Sequence, residues 1–394
     1  MKTLLISFLL CIAIFLLSCS KEGLSGAGSG LGSTAGVSGG SSGGSSNPGN
    51  PGPGQAGVIT AAEWNDLNNW AFWKTLMVND TFSAFSQSWK IYNNNRVSVH
   101  VMSSTGLPVI DAMVQLKKNG NIVFNTRTDN KGMAECWAGL FQYNSNVNQA
   151  DYSLNINNGS AIVSTVKAYD AGINEVILPV APAFQNNIDV SFVVDATGSM
   201  GDELNYLKTE LNDVINRAKA AHPTASFKTS AVYYRDEGDD YVTRVSPFTS
   251  NTSTTLSFIN AQSAGGGGDF PEAVHTALDK AMNALTWSAS AKTRLIFLVL
   301  DAPPHFTPAV ITSLQASLAK ANEKGIKIIP VTASGINKET EFLMRFFSIS
   351  TNGSYVFITN DSGIGNNHIT ATVGAYQVEF LNNLMVRLIN KYAE

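Results

Sequence analysis

Residues 184–394 read as an α/β domain built on a doubly wound, mostly parallel sheet, and residues 91–183 as an all-β sandwich in front of it. Three observations predict this. From Asn187 onward, apolar strand-like runs alternate with amphipathic helical stretches, the pattern of a sheet covered by helices on both faces. Residues 294–300 form an almost unbroken apolar run, as a strand buried on both faces requires. Residues 95–180 show instead short runs of period two, separated by turn residues.

The chain opens on a targeting pattern. Lys2 is followed by an apolar stretch over residues 4–17, shorter than the ~20 residues a membrane-spanning helix needs. That stretch ends Leu16-Leu17-Ser18-Cys19. The string resembles the lipobox of bacterial lipoproteins, against the alternative of ordinary signal cleavage beside an incidental cysteine. The resemblance implies a signal peptide over residues 1–18, lipidation of Cys19 and a membrane anchor. With Ser20 rather than Asp after the cysteine, it implies the outer membrane, and Lys21-Glu22 loosely resembles the charged tags of surface-exposed lipoproteins. Residues 19–57 are almost all Gly, Ser, Pro and Asn, a flexible tether with a reach of roughly 30–37 Å.

Residues 58–90 are rich in aromatic side chains. Thr60 as N-cap and Glu63 at the capping-box position predict a helix over residues 62–77. Trp64, Leu67, Trp70 and Lys74 fall near helical spacing, so the aromatics should dock on a neighbouring domain; a carbohydrate-binding platform is the alternative. In residues 91–183, strands are expected at 96–101, 112–116, 122–127, 152–156 and 176–180, with a hairpin at Lys118-Asn119-Gly120-Asn121. His100 reads as a strand residue, and Cys136, in an apolar stretch, as a small buried hydrophobe. Gly106-Leu107-Pro108-Val109 followed by Thr128-Asp129-Asn130-Lys131-Gly132 resembles the transthyretin-like and Ig-like repeats of bacterial surface proteins, where the module is a spacer or contact surface.

In residues 184–394 the expected order is strand 188–194, helix 204–221, strand 227–234 with a hairpin partner at 241–248, and helix 271–285. Strand 294–300, helix 308–324 capped by Gly325, strand 326–332, helix 338–348, strand 354–358 and a closing helix over 371–392 follow. In such sheets the chemistry gathers at the carboxyl ends of the strands. There the first strand runs into Asp195-Ala196-Thr197-Gly198-Ser199, and the central strand into Asp301-Ala302-Pro303-Pro304-His305. Between them, Gly265-Gly266-Gly267-Gly268-Asp269-Phe270-Pro271-Glu272 is a glycine loop opening a helix. Carboxylate and hydroxyl oxygens suit Mg²⁺, Mn²⁺ or Ca²⁺ rather than zinc.

The Asp-x-Thr-x-Ser string resembles the metal-ion-dependent adhesion site of von Willebrand factor A domains, whose core is a Rossmann-like sheet. The resemblance covers about residues 185–394. It implies that Asp195, Thr197 and Ser199 contact a divalent cation. The glycine loop is similar to the Asp-x-Pro-Glu loop of integrin β subunits and hemicentin-like domains, which implies Glu272 at the metal and Asp269 at a possible second ion. The same resemblance implies a metal-site role for Asp301. The family's usual loop threonine is absent, leaving open which of Asp269 and Glu272 is the direct ligand. His305 is either a ligand or a loop-shaping residue. The acidic turn containing Asp236 and Asp239 is either a solvated hairpin or an accessory Ca²⁺ site, and His222 and His275 read as surface helix residues.

Composition narrows the function. Lys and Arg number 26 against 30 Asp and Glu, so the basic excess of a nucleic-acid binder is missing. With 44% hydrophobic residues and a net charge of −4, the chain as a whole is not of disordered composition, and three cysteines make no disulfide scaffold. Only 14% of residues are charged. Residues 1–187 are neutral, and residues 188–394 hold 20 acids against 16 bases. The expectation is a membrane-anchored binding protein, not an enzyme. Its α/β domain would take a carboxylate of a protein ligand through a divalent cation. The alternatives are an assembly component of an envelope complex with a structural metal, and a hydrolase using Ser199, Asp301 and His305, although Thr197-Gly198-Ser199-Met200-Gly201 lacks the Gly-x-Ser-x-Gly spacing.

Overall fold

The computed structural model describes residues 55–394 except 79, 144–146 and 182. The expected signal peptide, Cys19 and nearly all of the expected tether lie outside the described residues.

The first element corrects the expected helix. Thr60–Trp64 is a strand, β1, and the helices behind it are α1 (Trp70–Val78) and α2 (Asp80–Trp89). β1 lies within the large sheet, so both its edges find ladder partners and outweigh the local capping signal. Glu63 does not cap a helix; its carboxylate accepts from Arg387 at 2.7 Å and Lys391 at 2.9 Å. The aromatic residues of α1 and α2 pack inward. Trp73 and Trp89 are fully buried, and Trp73 stacks on Phe342 at 6.1 Å, so they present no open platform.

Two small sheets follow. One has the order β5-β2-β8, with β2 (Arg96–Ser103), β5 (Met133–Trp137) and β8 (Asn174–Leu178). The other has the order β4-β3-β6-β7, with β3 (Met113–Lys118), β4 (Asn121–Arg127), β6 (Tyr152–Ile156) and β7 (Ala161–Val163). Alternate residues such as Val97, Val99 and Val101 of β2 and Val114 and Leu116 of β3 turn into one shared core. The β3–β4 hairpin turns on Asn119 (φ 48°) and Gly120 (φ 82°), the left-handed pair a two-residue turn needs. Cys136 is buried in β5, and burial pushes its thiol well above the ordinary range, which leaves it unreactive.

The large sheet is built from β9 (Asn187–Asp195), β10 (Ser226–Tyr234), β11 (Thr243–Thr249), β12 (Thr293–Leu300), β13 (Ile326–Thr332), β14 (Tyr355–Ile358) and β15 (Val378–Phe380), together with β1. Its order is β11-β10-β9-β12-β13-β14-β1-β15. The five strands from β10 to β14 are mutually parallel; β11 and β1 run antiparallel to their neighbours. One face is covered by α3 (Gly201–Ala221), α4 (Thr252–Asn260) and α8 (Leu381–Ala393), the other by α5 (Val274–Asn283), α6 (Pro308–Lys324) and α7 (Lys338–Ser350). This is the doubly wound α/β architecture the sequence predicts. α4 was not expected. The closing helix starts at Leu381 rather than residue 371, because Glu341 and Arg345 of α7 hold the backbone N–H and C=O of Thr372, and β15 pairs with β1.

The core facing α5–α7 continues without a break into the core of the two small sheets. Across that junction Arg294 of β12 forms a two-pronged pair with Asp111, at 2.8 and 3.0 Å.

Candidate metal centre

β9 delivers Asp195 to the carboxyl edge of the sheet, and a single tight turn at Gly198–Met200 leads into α3. Asp195 Oδ1 accepts from the Thr197 amide at 2.9 Å and the Thr197 hydroxyl at 2.7 Å. Thr197 Oγ1 lies 3.2 Å from Ser199 Oγ. Asp195 and Thr197 are fully buried, whereas Ser199 is exposed, so the row runs from the interior to solvent.

The glycine loop packs backbone to backbone on this turn. The Gly265 N–H donates to Ala196 O and the Gly198 N–H to Gly266 O, both at 3.1 Å. Gly267 has φ +73°, and a Cβ there would sit 2.9 Å from Glu272 Oε1 and 3.2 Å from Thr197 Cβ. Only glycine lets Glu272 and Thr197 approach this closely. The Glu272 amide donates to Pro303 O at 2.9 Å, which ties the glycine loop to the loop behind Asp301.

Asp195, Glu272 and Asp301 thus share one buried edge, and each keeps a buried oxygen (Oδ2, Oε2 and Oδ1 respectively) without a hydrogen-bond partner. Burial raises all three carboxyl groups. Asp195 is pushed up to about 7 by desolvation and then by Asp301. Asp301 is pushed up to about 6 by desolvation, although a hydrogen bond from Ser199 opposes the shift. Glu272 is pushed up to about 9 by desolvation and then by Asp195, Asp236, Asp301 and Asp239. Tyr234, opposite Asp195 in the ladder, has its phenol pushed well above its ordinary range by burial and then by the Asp195 charge.

The family model of the von Willebrand factor A domain matches residues 189–370. The chain carries a von Willebrand factor A domain. A putative ariadne-like RING finger protein of Acanthamoeba polyphaga mimivirus is 31% identical over 118 residues, 30% of this chain and 11% of that protein. The alpha-protein kinase vwkA of Dictyostelium discoideum is 26% identical over 171 residues, 43% of this chain and 27% of that protein. The matched stretches are therefore small parts of both relatives. Among solved structures, the conserved hypothetical protein BatB from Bacteroides thetaiotaomicron aligns at 15% identity and a TM-score of 0.36, covering 52% of this chain and 99% of that one. An aerotolerance-related membrane protein from Bacteroides fragilis aligns at 14% identity and a TM-score of 0.34, covering 52% and 98%.

The A domain treats the remaining candidates differently. Asp269 stands exposed in the glycine loop, while Glu272 is 3% exposed beside Asp195 and Asp301. His305 Nε2 meets Asp236 Oδ1 at 2.6 Å, and Ser199 is engaged by Thr197 and Asp301, so the Ser199–Asp301–His305 relay is not assembled. Asp236 is buried rather than solvated, and His275 is half-buried against Glu237. Glu203, which is not among the residues the sequence singles out, also lies here. This fully buried carboxylate in the first turn of the A domain's α3 accepts from Ser334, leaves Oε2 unpartnered, and helps to raise Asp301. Its place four residues beyond Ser199, one helical turn on, was the available signal. Among the described residues, no three His, Cys, Asp or Glu side chains approach closely enough to enclose an ion by themselves. An ion at this edge would take hydroxyl and water oxygens as well, and Thr197 and Ser199 supply the hydroxyls.

Proposed function

We propose that this is an envelope-anchored binding protein, not an enzyme, whose A domain grips an acidic group of a protein ligand through a divalent cation. The observation that carries the proposal is the set of three unpartnered, buried carboxylate oxygens behind the exposed Ser199 hydroxyl. Ionising buried carboxyl groups that lack partners is costly, and a bound cation would offset that cost. Asp195, Thr197, Ser199, Glu272 and Asp301 would hold it, and an all-oxygen donor set fits Mg²⁺, or Mn²⁺ or Ca²⁺. When bound, the cation supplies a Lewis-acidic position for a carboxylate oxygen.

The chain's own residues prepare that position. Thr197 holds Asp195 Oδ1 by two hydrogen bonds, which leaves Oδ2 as the free donor. Gly267 lets Glu272 close against Thr197. Ser199, at the solvent end of the row, marks where a ligand would enter. The N-terminal lipid anchor at Cys19 and the tether belong to the same proposal, supported by the sequence pattern of residues 1–57. Asp269 as a neighbouring ion's ligand remains part of it as well.

The test is capture of partners from host-matrix and neighbouring-cell extracts with Mg²⁺ or EDTA, comparing wild type with Asp195→Ala. Capture that needs both Mg²⁺ and Asp195 is the expected result. Capture that persists in EDTA overturns the mechanism. A Mg²⁺-dependent rise in melting temperature without any capture would instead favour a structural metal in an assembly component.

A further inference from the structure

The turn between β10 and β11 carries Arg235, Asp236 and Asp239, and it touches all three loops of the metal centre. Arg235 and Asp236 are buried, at 8% and 6% exposure, although they sit in a connecting turn. Arg235 Nε donates to Ala196 O at 3.2 Å, in the Asp195 loop. Its Nη2 donates to Ser263 O at 3.0 Å, where the glycine loop begins. Asp239 Oδ2 accepts from the Gly267 amide at 2.9 Å and the Asp236 amide at 3.0 Å. Asp236 Oδ1 meets His305 Nε2 at 2.6 Å, in the loop behind Asp301. Gly266 has φ +76°, and a methyl group there would collide with the Asp239 carboxylate, so the loop lies directly on this side chain.

We infer that this turn is a clamp for the cation-binding loops and that Asp239 is its key positioning residue, fixing the glycine loop so that Glu272 faces Asp195. This rests on the proposed metal centre. Asp239 is not needed as a ligand for the role. Its Oδ2 is committed to two backbone amides, one of them from Gly267, whose lack of a side chain admits Glu272. Partners of this kind, which orient ligands without touching the ion, typically cost 10–100-fold in metal affinity when removed.

The experiment uses the full chain with Asp239→Ala, Asp239→Asn and Gly266→Ala. Two quantities are read: Mg²⁺ affinity by calorimetry, and amide exchange of residues 264–268 in EDTA. Asp239→Ala should speed exchange of the Gly267 amide and weaken Mg²⁺ binding about tenfold or more. Asp239→Asn keeps an acceptor oxygen but loses the charge, and it should recover most of both. Gly266→Ala displaces the carboxylate from the opposite side and should mimic Asp239→Ala, which keeps the test open if that variant folds poorly. Wild-type Mg²⁺ affinity in Asp239→Ala overturns the clamp. So does an Asn variant as weak as the Ala variant, because charge rather than the hydrogen bond would then be at work. Absence of Mg²⁺ binding in the wild type overturns the metal-centre reading instead. The exchange measurement in EDTA still decides whether Asp239 holds the loop.

Discussion

At the residue scale, the edge is defined by three carboxyl groups whose burial favours the protonated form. In the cation-free protein Asp301, Asp195 and Glu272 are pushed up to about 6, 7 and 9, against about 4 in an unfolded chain. A raised carboxyl favours the folded state fully below the unfolded value, and that contribution is lost as pH rises through the folded value. The melting temperature in EDTA should therefore fall between about pH 4 and pH 9. Mg²⁺ competes with these protons, so its stabilisation should grow over the same window; a Mg²⁺ shift independent of pH would contradict the picture. Asp195→Asn removes a buried charge. It should stabilise the cation-free protein at pH 8 by about 1–3 kcal/mol while abolishing the Mg²⁺ shift, both readable by calorimetry. That Asp195, Thr197, Ser199 and Asp301 gather at one sheet edge was legible, because strand-end carboxylates and hydroxyls appear at short, fixed spacing. That Glu272 is buried beside Asp195 while Asp269 stays exposed was not, because it depends on which way a glycine loop folds over Thr197.

At the element scale, β1 shows how non-local partners override local preference. The Thr60/Glu63 capping pattern is real, yet the segment is held by β14, β15 and α3. The amides of Gly57, Val58 and Ile59 all donate to the buried Glu210 carboxylate, at 2.9–3.2 Å. Glu210→Ala leaves those donors without an acceptor and should cost about 1–3 kcal/mol or more in urea unfolding. Just beyond β1, Asp66 pairs with Arg345 of α7 through two bonds, at 2.9 and 2.6 Å, with both side chains fully buried. Asp66→Ala should cost about 3–5 kcal/mol by the same measurement, since it strands a buried guanidinium. A loss below 1 kcal/mol would show that Arg345 is satisfied by Glu341 and Thr372 alone.

At the scale of the whole molecule, the small sheets and the A domain share a core. The aromatics of α1 and α2 pack on α7, Phe124 and Leu116 of the small sheets belong to the same cluster as α5–α7, and Arg294 holds Asp111. A fragment of residues 184–394 would lose β1 from between β14 and β15, exposing ladder edges and an apolar helix face. It should unfold at lower urea than residues 58–394 and bind hydrophobic dyes; equal stability would show that the A domain is self-sufficient.

Local pattern determined which segments become central strands and covering helices, because periodicity and burial on both faces are written into consecutive residues. It also placed the Asp195 and Asp301 loops at one edge, since parallel strands deliver their ends together. Tertiary structure decided what local pattern cannot encode. It made residues 60–64 a strand, because the ladder partners lie about 300 residues away in the chain. It turned an acidic hairpin into a clamp, because Arg235, Asp236 and Asp239 meet their partners only when three loops converge.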